Sequence, residues 1–255
     1  MGNNFLTDKE FWIKNTEEYG FHKHGDNHGI SRLIKKNIPE NVNGHCLEIG
    51  SFPGPFLTVF GDLGYTLNGL DFNPFNETAL PSWLKSFGYK TNEFQSVDFF
   101  QYQSEKEFDV VASFGFIEHF IDFNDVISRH AVLVKKDGYL IITTPNFSGL
   151  IQFWLHKIFD QNNLALHNTK SMNPTKWKKQ LQELNFEILY SGYFGDFWFW
   201  HGKENLPWLK RKLLWFIERA VSVLRKIIWF QSPAFSAYAG IVARKKQNIN
   251  TEDQF

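Results

Sequence analysis

The chain has 255 residues, 27 basic side chains balanced by 27 acidic ones, and 43% hydrophobic residues. That size and composition fit one packed domain with an elaboration rather than a disordered segment, and zero net charge gives no reason to expect a nucleic-acid partner. A single cysteine, Cys46, rules out a disulfide framework and is what a reducing, cytoplasmic compartment leads one to expect.

Aromatic residues make up 18% of the chain, and seven of the nine Trp lie from Trp154 onward. The opening MGNNFLTDKEFW lacks the basic-then-apolar order of a secretory leader, and no uncharged apolar run long enough to span a bilayer occurs.

Residues 8–20 read as a helix with Phe11, Trp12 and Tyr19 as apolar contacts, and 21–29 (FHKHGDNHG) as a loop. A short helix over 31–37 stops before Pro39. Strands and helices then alternate: strand 45–49, helix 56–63, strand 66–70, helix 82–87, strand 92–97 and strand 108–113. Residues 117–119 lead into a helix expected to run to about 134, and Lys135-Lys136-Asp137-Gly138 turns into a strand over 139–143. A helix over 174–184 and strands over 186–193 and 238–243 complete the pattern, with a long insertion at 194–237. Short loops between alternating elements predict an α/β fold. The expected architecture is a Rossmann-like, seven-stranded, mostly parallel sheet with helices on both faces and a helical, aromatic-rich insertion before the last strand. The expected organisation is an N-terminal helical cap (1–44), a core (45–193), the insertion (194–237), and the last strand with its tail (238–255).

The segment LEIGSFPGPF (47–56) carries a strand into a glycine loop and then a helix, which frees backbone N–H groups to face an anion. Asp71 ends the next strand, where an acid can accept hydrogen bonds from ribose hydroxyls. Together LEIGSFPG, LNGLDFNP, VDFF (97–100), FDVVASFGFIEHF (108–120) and KKDGYLIITTPN (135–146) resemble, in order, the successive motifs of class I S-adenosylmethionine-dependent methyltransferases. The group most similar in these motifs is the ubiquinone-methyltransferase-like one, which includes polysaccharide-biosynthesis methyltransferases.

The resemblance implies S-adenosyl-L-methionine as cofactor. It implies that Glu48, Gly50, Ser51 and Gly54 surround its methionine part. Asp71 would hold the ribose with Phe72 beside the adenine, Asp98 would accept from the adenine amino group with Phe99 beside it, and Phe114 and Gly115 would floor the sulfonium. The loop departs from the family's E-x-G-x-G-x-G at Phe52, where the middle glycine is expected. Some relatives carry a metal-binding acid three residues before the Glu-His pair; Gly115 stands there, so no metal is expected at Glu118-His119.

The reaction implied is O-methylation of a sugar, glycan or small-molecule hydroxyl. A hydroxyl acceptor needs a base, and His119 and His167 are the two candidates, each with a plain packing or loop role as its alternative. His22, His24 and His28 lack the company of a familiar metal set and read as a solvated or cofactor-covering loop. N-methylation, a lipid or quinone-precursor acceptor, or a degenerate partner subunit remain the rival readings.

Residues 206–230 carry six basic residues and one acid. At 100° per residue, Leu209, Leu213, Phe216, Ile217, Ala220, Val223, Leu224 and Ile227 share one face. Such a helix can lie peripherally on an anionic membrane surface, cap the site, or form a dimer contact.

Overall fold

The computed structural model describes residues 5–7, 10, 12–13, 20–197, 199, 206–224, 227 and 230–247. The helix read over 8–20 lies mostly outside the described residues. The strands form one seven-stranded sheet, β1 (His45–Ile49), β2 (Thr66–Asp71), β3 (Thr91–Ser96), β4 (Phe108–Phe114), β5 (Val134–Pro145), β6 (Phe186–Phe194) and β7 (Tyr238–Lys245), in the order β3-β2-β1-β4-β5-β7-β6. The first five pair in parallel; β7 runs antiparallel between β5 and β6. This is the Rossmann-like architecture expected from the alternation.

The helices are α1 (Gly29–Asn37), α2 (Leu57–Asp62), α3 (Ala79–Ser86), α4 (Phe123–Val132), α5 (Leu150–Phe159), α6 (Gln161–Ala165), α7 (Pro174–Glu183) and α8 (Trp208–Leu224). Both faces of the sheet are covered, and β4 shows how. Its residues alternate, so Val111 enters one core with Ile127, Trp177 and Leu181, while Val110 and Ala112 enter the other with Ile34, Phe60 and Leu84. A strand buried on both sides must be apolar throughout, which is why FDVVAS shows no polar alternation. α1 packs into the second core through Ile30, Leu33 and Ile34.

Two expectations change. The passage expected to lead from 117–119 straight into a helix is interrupted: residues Ile117–His119 form one 3₁₀ turn, Phe120 is extended, and α4 starts only at Phe123. The break has two causes. Phe120 pairs with Phe5 in an antiparallel bridge, and the Asp122 side chain accepts the Asp125 N–H as an N-cap. Second, β5 begins at Val134 rather than Tyr139, because Asp137 (φ 62°) bulges within the strand instead of ending it. Helices α5 and α6 had no counterpart in the sequence reading. A third, smaller core of Leu155, Phe159, Phe199 and Leu214 ties α5 to α8.

Candidate functional site

The carboxyl ends of β1, β2 and β4 border a cavity of about 230 Å³. The chain leaves β1 at Gly50, whose φ of +72° is the left-handed region. A Cβ there would stand 2.7 Å from the Phe116 ring, so backbone conformation and space both require glycine. The Gly50 and Ser51 N–H groups donate to the Leu70 carbonyl at 2.8 and 3.2 Å, which bends the loop back over β2. Ser51 Oγ donates to Asn76 Oδ1 at 2.7 Å, and Asn76 in turn donates to the Gly69 and Gln95 carbonyls. Ser51 is thus a buried staple of the loop.

Asp71 and Asp98 both line the cavity. Asp71 Oδ1 accepts from the Asn73 N–H at 2.8 Å and Oδ2 from the Phe52 N–H at 3.2 Å. Burial raises its pKa to about 6, against the opposing pull of those backbone donors. Asp98 Oδ1 accepts the Phe100 N–H at 2.8 Å. Gly50, Phe72, Phe99, Phe114 and Gly115 line the same space, whereas Glu48, Ser51, Gly54 and His167 do not. Glu48 is buried with Oε2 lacking a partner, and burial, then the Asp71 charge, push its pKa well above the usual carboxylate range. The departure at Phe52 adds a ring to the cavity lining, where it meets Phe21 edge-on at 5.6 Å and tilts toward Phe75.

The two histidine candidates come together. A latch brings the 166–168 segment onto 118–120: the Asn168 N–H donates to the Glu118 carbonyl at 2.7 Å, and Asn168 Nδ2 donates to the Phe120 carbonyl at 2.9 Å. His119 and His167 then stand 4.7 Å apart between ring centres. His119 Nδ1 faces the Leu166 carbonyl at 3.0 Å and His167 Nδ1 faces the Asn163 carbonyl at 2.7 Å. A carbonyl only accepts, so each Nδ1 carries the proton and each Nε2 keeps its lone pair. Burial lowers the pKa of His119 to about 3 and of His167 to about 4, so both rings are neutral at physiological pH. His119 Nε2 lies 3.9 Å from Glu118 Oε1. Glu118 is 1% exposed, its Oε2 has no partner, and burial raises its pKa to about 8. Among the described residues, Glu118, His119 and His167 are a set able to hold a metal ion, with ligand atoms within 4.8 Å of one another.

The sequence reading did not anticipate Phe5, Thr7 and Trp12 in the lining. The Leu6 N–H donates to the His119 carbonyl at 2.8 Å, Trp12 Nε1 donates to Thr7 Oγ1 at 2.8 Å, and the Trp12 ring sits edge-on to His119 at 4.7 Å. The apolar Phe11-Trp12 pair was the available signal, but its partner lay more than a hundred residues away. His24 and His28 stack at 4.2 Å and pack on Phe56, outside the lining; Tyr19 lies outside the described residues.

A protein family described as "Methyltransferase domain" matches residues 22–191. No curated protein matches the chain in sequence. Among solved structures, an S-adenosylmethionine-dependent methyltransferase from Archaeoglobus fulgidus is 18% identical, covering 93% of this chain and 100% of that one at a TM-score of 0.53. Magnesium protoporphyrin IX methyltransferase from Synechocystis PCC 6803, with bound S-adenosylhomocysteine, is 13% identical over 93% of this chain and 95% of that one at 0.53. A methyltransferase partner of the Trm112 activator, from Haloferax volcanii, is 12% identical over 94% and 96% at 0.56.

Proposed function

The chain belongs to this methyltransferase-domain family, as a class I enzyme that depends on S-adenosyl-L-methionine; from that premise we propose that the cavity between Gly50, Asp71, Asp98 and Phe114 holds the cofactor and that His119, with His167 packed against it, faces a hydroxyl acceptor. When bound, the cofactor supplies an electrophilic methyl group on a sulfonium. Asp71 and Asp98 stand at adjacent strand ends, where carboxylates can accept from ribose hydroxyls and an adenine amino group. Phe72, Phe99 and Phe114 give the cavity an apolar lining, which strengthens each polar contact made within it.

His119 is the nearer base, because it lines the cavity and presents an unprotonated Nε2. It would take the acceptor's hydroxyl proton as the oxygen attacks. His167, packed against it outside the lining, holds its ring. O-methylation of a sugar, glycan or small-molecule hydroxyl is the reading this base supports, since a hydroxyl oxygen becomes a competent nucleophile as its proton is removed. The observation that carries the proposal is the meeting of two strand-end acids and a neutral histidine in one cavity.

The cofactor part is tested by calorimetry with S-adenosylhomocysteine. Asp71→Ala is expected to weaken binding at least tenfold, and an unchanged dissociation constant would overturn the role of Asp71. The acceptor is sought by labelled methyl transfer into sugar nucleotides, glycans and small hydroxylated molecules.

One observation favours a second reading of the chemical step. Two free Nε2 atoms and an unpartnered buried carboxylate oxygen converge at Glu118, His119 and His167, as ligands for a divalent cation would. A bound cation would lower the acceptor's pKa in place of a base. Activity lost on chelation and restored by a divalent metal selects this reading; activity indifferent to chelators selects His119 as base.

A further inference from the structure

Helix α8 is apolar on two sides, and among the described residues only one of them is buried. Leu214 is buried and Ile217 and Val221 are half-buried, all on one stripe against α5. Most of the stripe that the sequence marks as apolar faces solvent: Leu209, Leu213, Phe216 and Val223 are 51–70% exposed. Beside that stripe stand Trp208 and Trp215, each under a cation: Lys212 Nζ lies 4.2 Å from the Trp208 ring centre and the Arg219 guanidinium 5.3 Å from that of Trp215.

Helix α5 extends the surface. Leu150, Trp154 and Ile158 recur every four residues on its outer side, and Lys157 Nζ lies 4.9 Å from the Trp154 ring centre. Lys210 Nζ joins the helices by donating to the Ile158 carbonyl at 3.1 Å. Of the twenty large hydrophobic side chains exposed among the described residues, thirteen lie in 150–158 and 208–230. An apolar surface concentrated to this degree marks a contact.

We propose that α5 and α8 together form a docking face for an anionic lipid bilayer. Its chemistry is that of an interfacial helix pair: Trp and Leu for the acyl boundary, with Lys and Arg set among them for acidic headgroups. No described helix is long and apolar enough to cross a membrane, so the face lies on the surface rather than spanning it. A second copy of the chain fits less well. A two-fold contact would bring each copy's Arg211, Lys212 and Arg219 against the same cluster, with Glu218 as the single acid in α8 to answer them.

The test is co-sedimentation of the full chain with vesicles of phosphatidylcholine, alone or mixed with phosphatidylglycerol. Binding is expected on the mixed vesicles, falling at least tenfold in high salt and in Lys212→Glu/Arg219→Glu. Trp208→Ser/Trp215→Ser should weaken it similarly while leaving S-adenosylhomocysteine affinity unchanged, which confirms that the variant is folded. Absence of pelleting, equal pelleting on neutral vesicles, or a salt-insensitive dimer by analytical ultracentrifugation in which these tryptophans are buried would each overturn the proposal.

Discussion

Glu118 sits 1% exposed beside His119 with one carboxyl oxygen unpartnered, and that position decides its chemistry. In water its carboxyl would ionise near 4.5; in the fold burial holds the proton on until about pH 8. Between those values the native state therefore carries one proton that the unfolded chain has released. Stability from this group must fall as pH rises through that window. Glu118→Gln keeps the shape and removes the titration. In chelator-treated protein, its stability relative to the parent is expected to improve by roughly 1–3 kcal/mol between about pH 5 and pH 8. Thermal or urea unfolding measures it, and a difference flat across that range would show that the carboxyl is ionised and compensated in the native state. His119 and His167 work in the opposite sense: held neutral by burial, they cost stability only as pH falls below the usual imidazole value. Phe52 is the other residue whose meaning depends on direction. Its bulk stands where the family pattern has a glycine, yet its ring packs edge-on against Phe21 and its N–H still reaches Asp71.

Among the elements, α8 shows how a periodic pattern can be right about the helix and silent about its partner. A 17-residue helix forms over Trp208–Leu224, within the segment expected to be helical. Its inward stripe is Leu214, Ile217 and Val221, only one of which belongs to the face that the sequence groups together. The attachment is thin, resting mainly on Leu214 among Leu155, Phe159 and Phe199. Leu214→Ala removes buried methyl groups and would leave a cavity worth about 2–5 kcal/mol in a cooperative core. Here the cost should fall on the helix alone. Trypsin is expected to cut within 208–224 several times faster, while the main unfolding transition moves by less than about 2 °C. A fall of the whole transition by several degrees would instead place the insertion within the cooperative core. α4 carries a related lesson: the run from 117 to 134 has helical composition throughout, but Asp122 offers a cap and Phe120 a strand-like pairing, and these local alternatives end one turn and start the next.

At the scale of the molecule, the sheet and half of the candidate site are legible in the sequence. Apolar runs such as 45–49 and 108–113, each ending in a glycine or an acid, fix parallel strands and put Gly50, Asp71, Asp98 and Gly115 at one edge, because chain direction alone sends every parallel strand's carboxyl end to the same side. Periodicity of two or 3.6 residues is a local property and needs no knowledge of the partner. What the sequence did not disclose was every meeting across distance: the latch that sets His167 beside His119 and Glu118, the return of Phe5 and Trp12 over the cavity, and the stripe of α8 that faces inward. Those depend on which loops close on which edges. Many closures cost similar entropy, and only the packed whole selects among them.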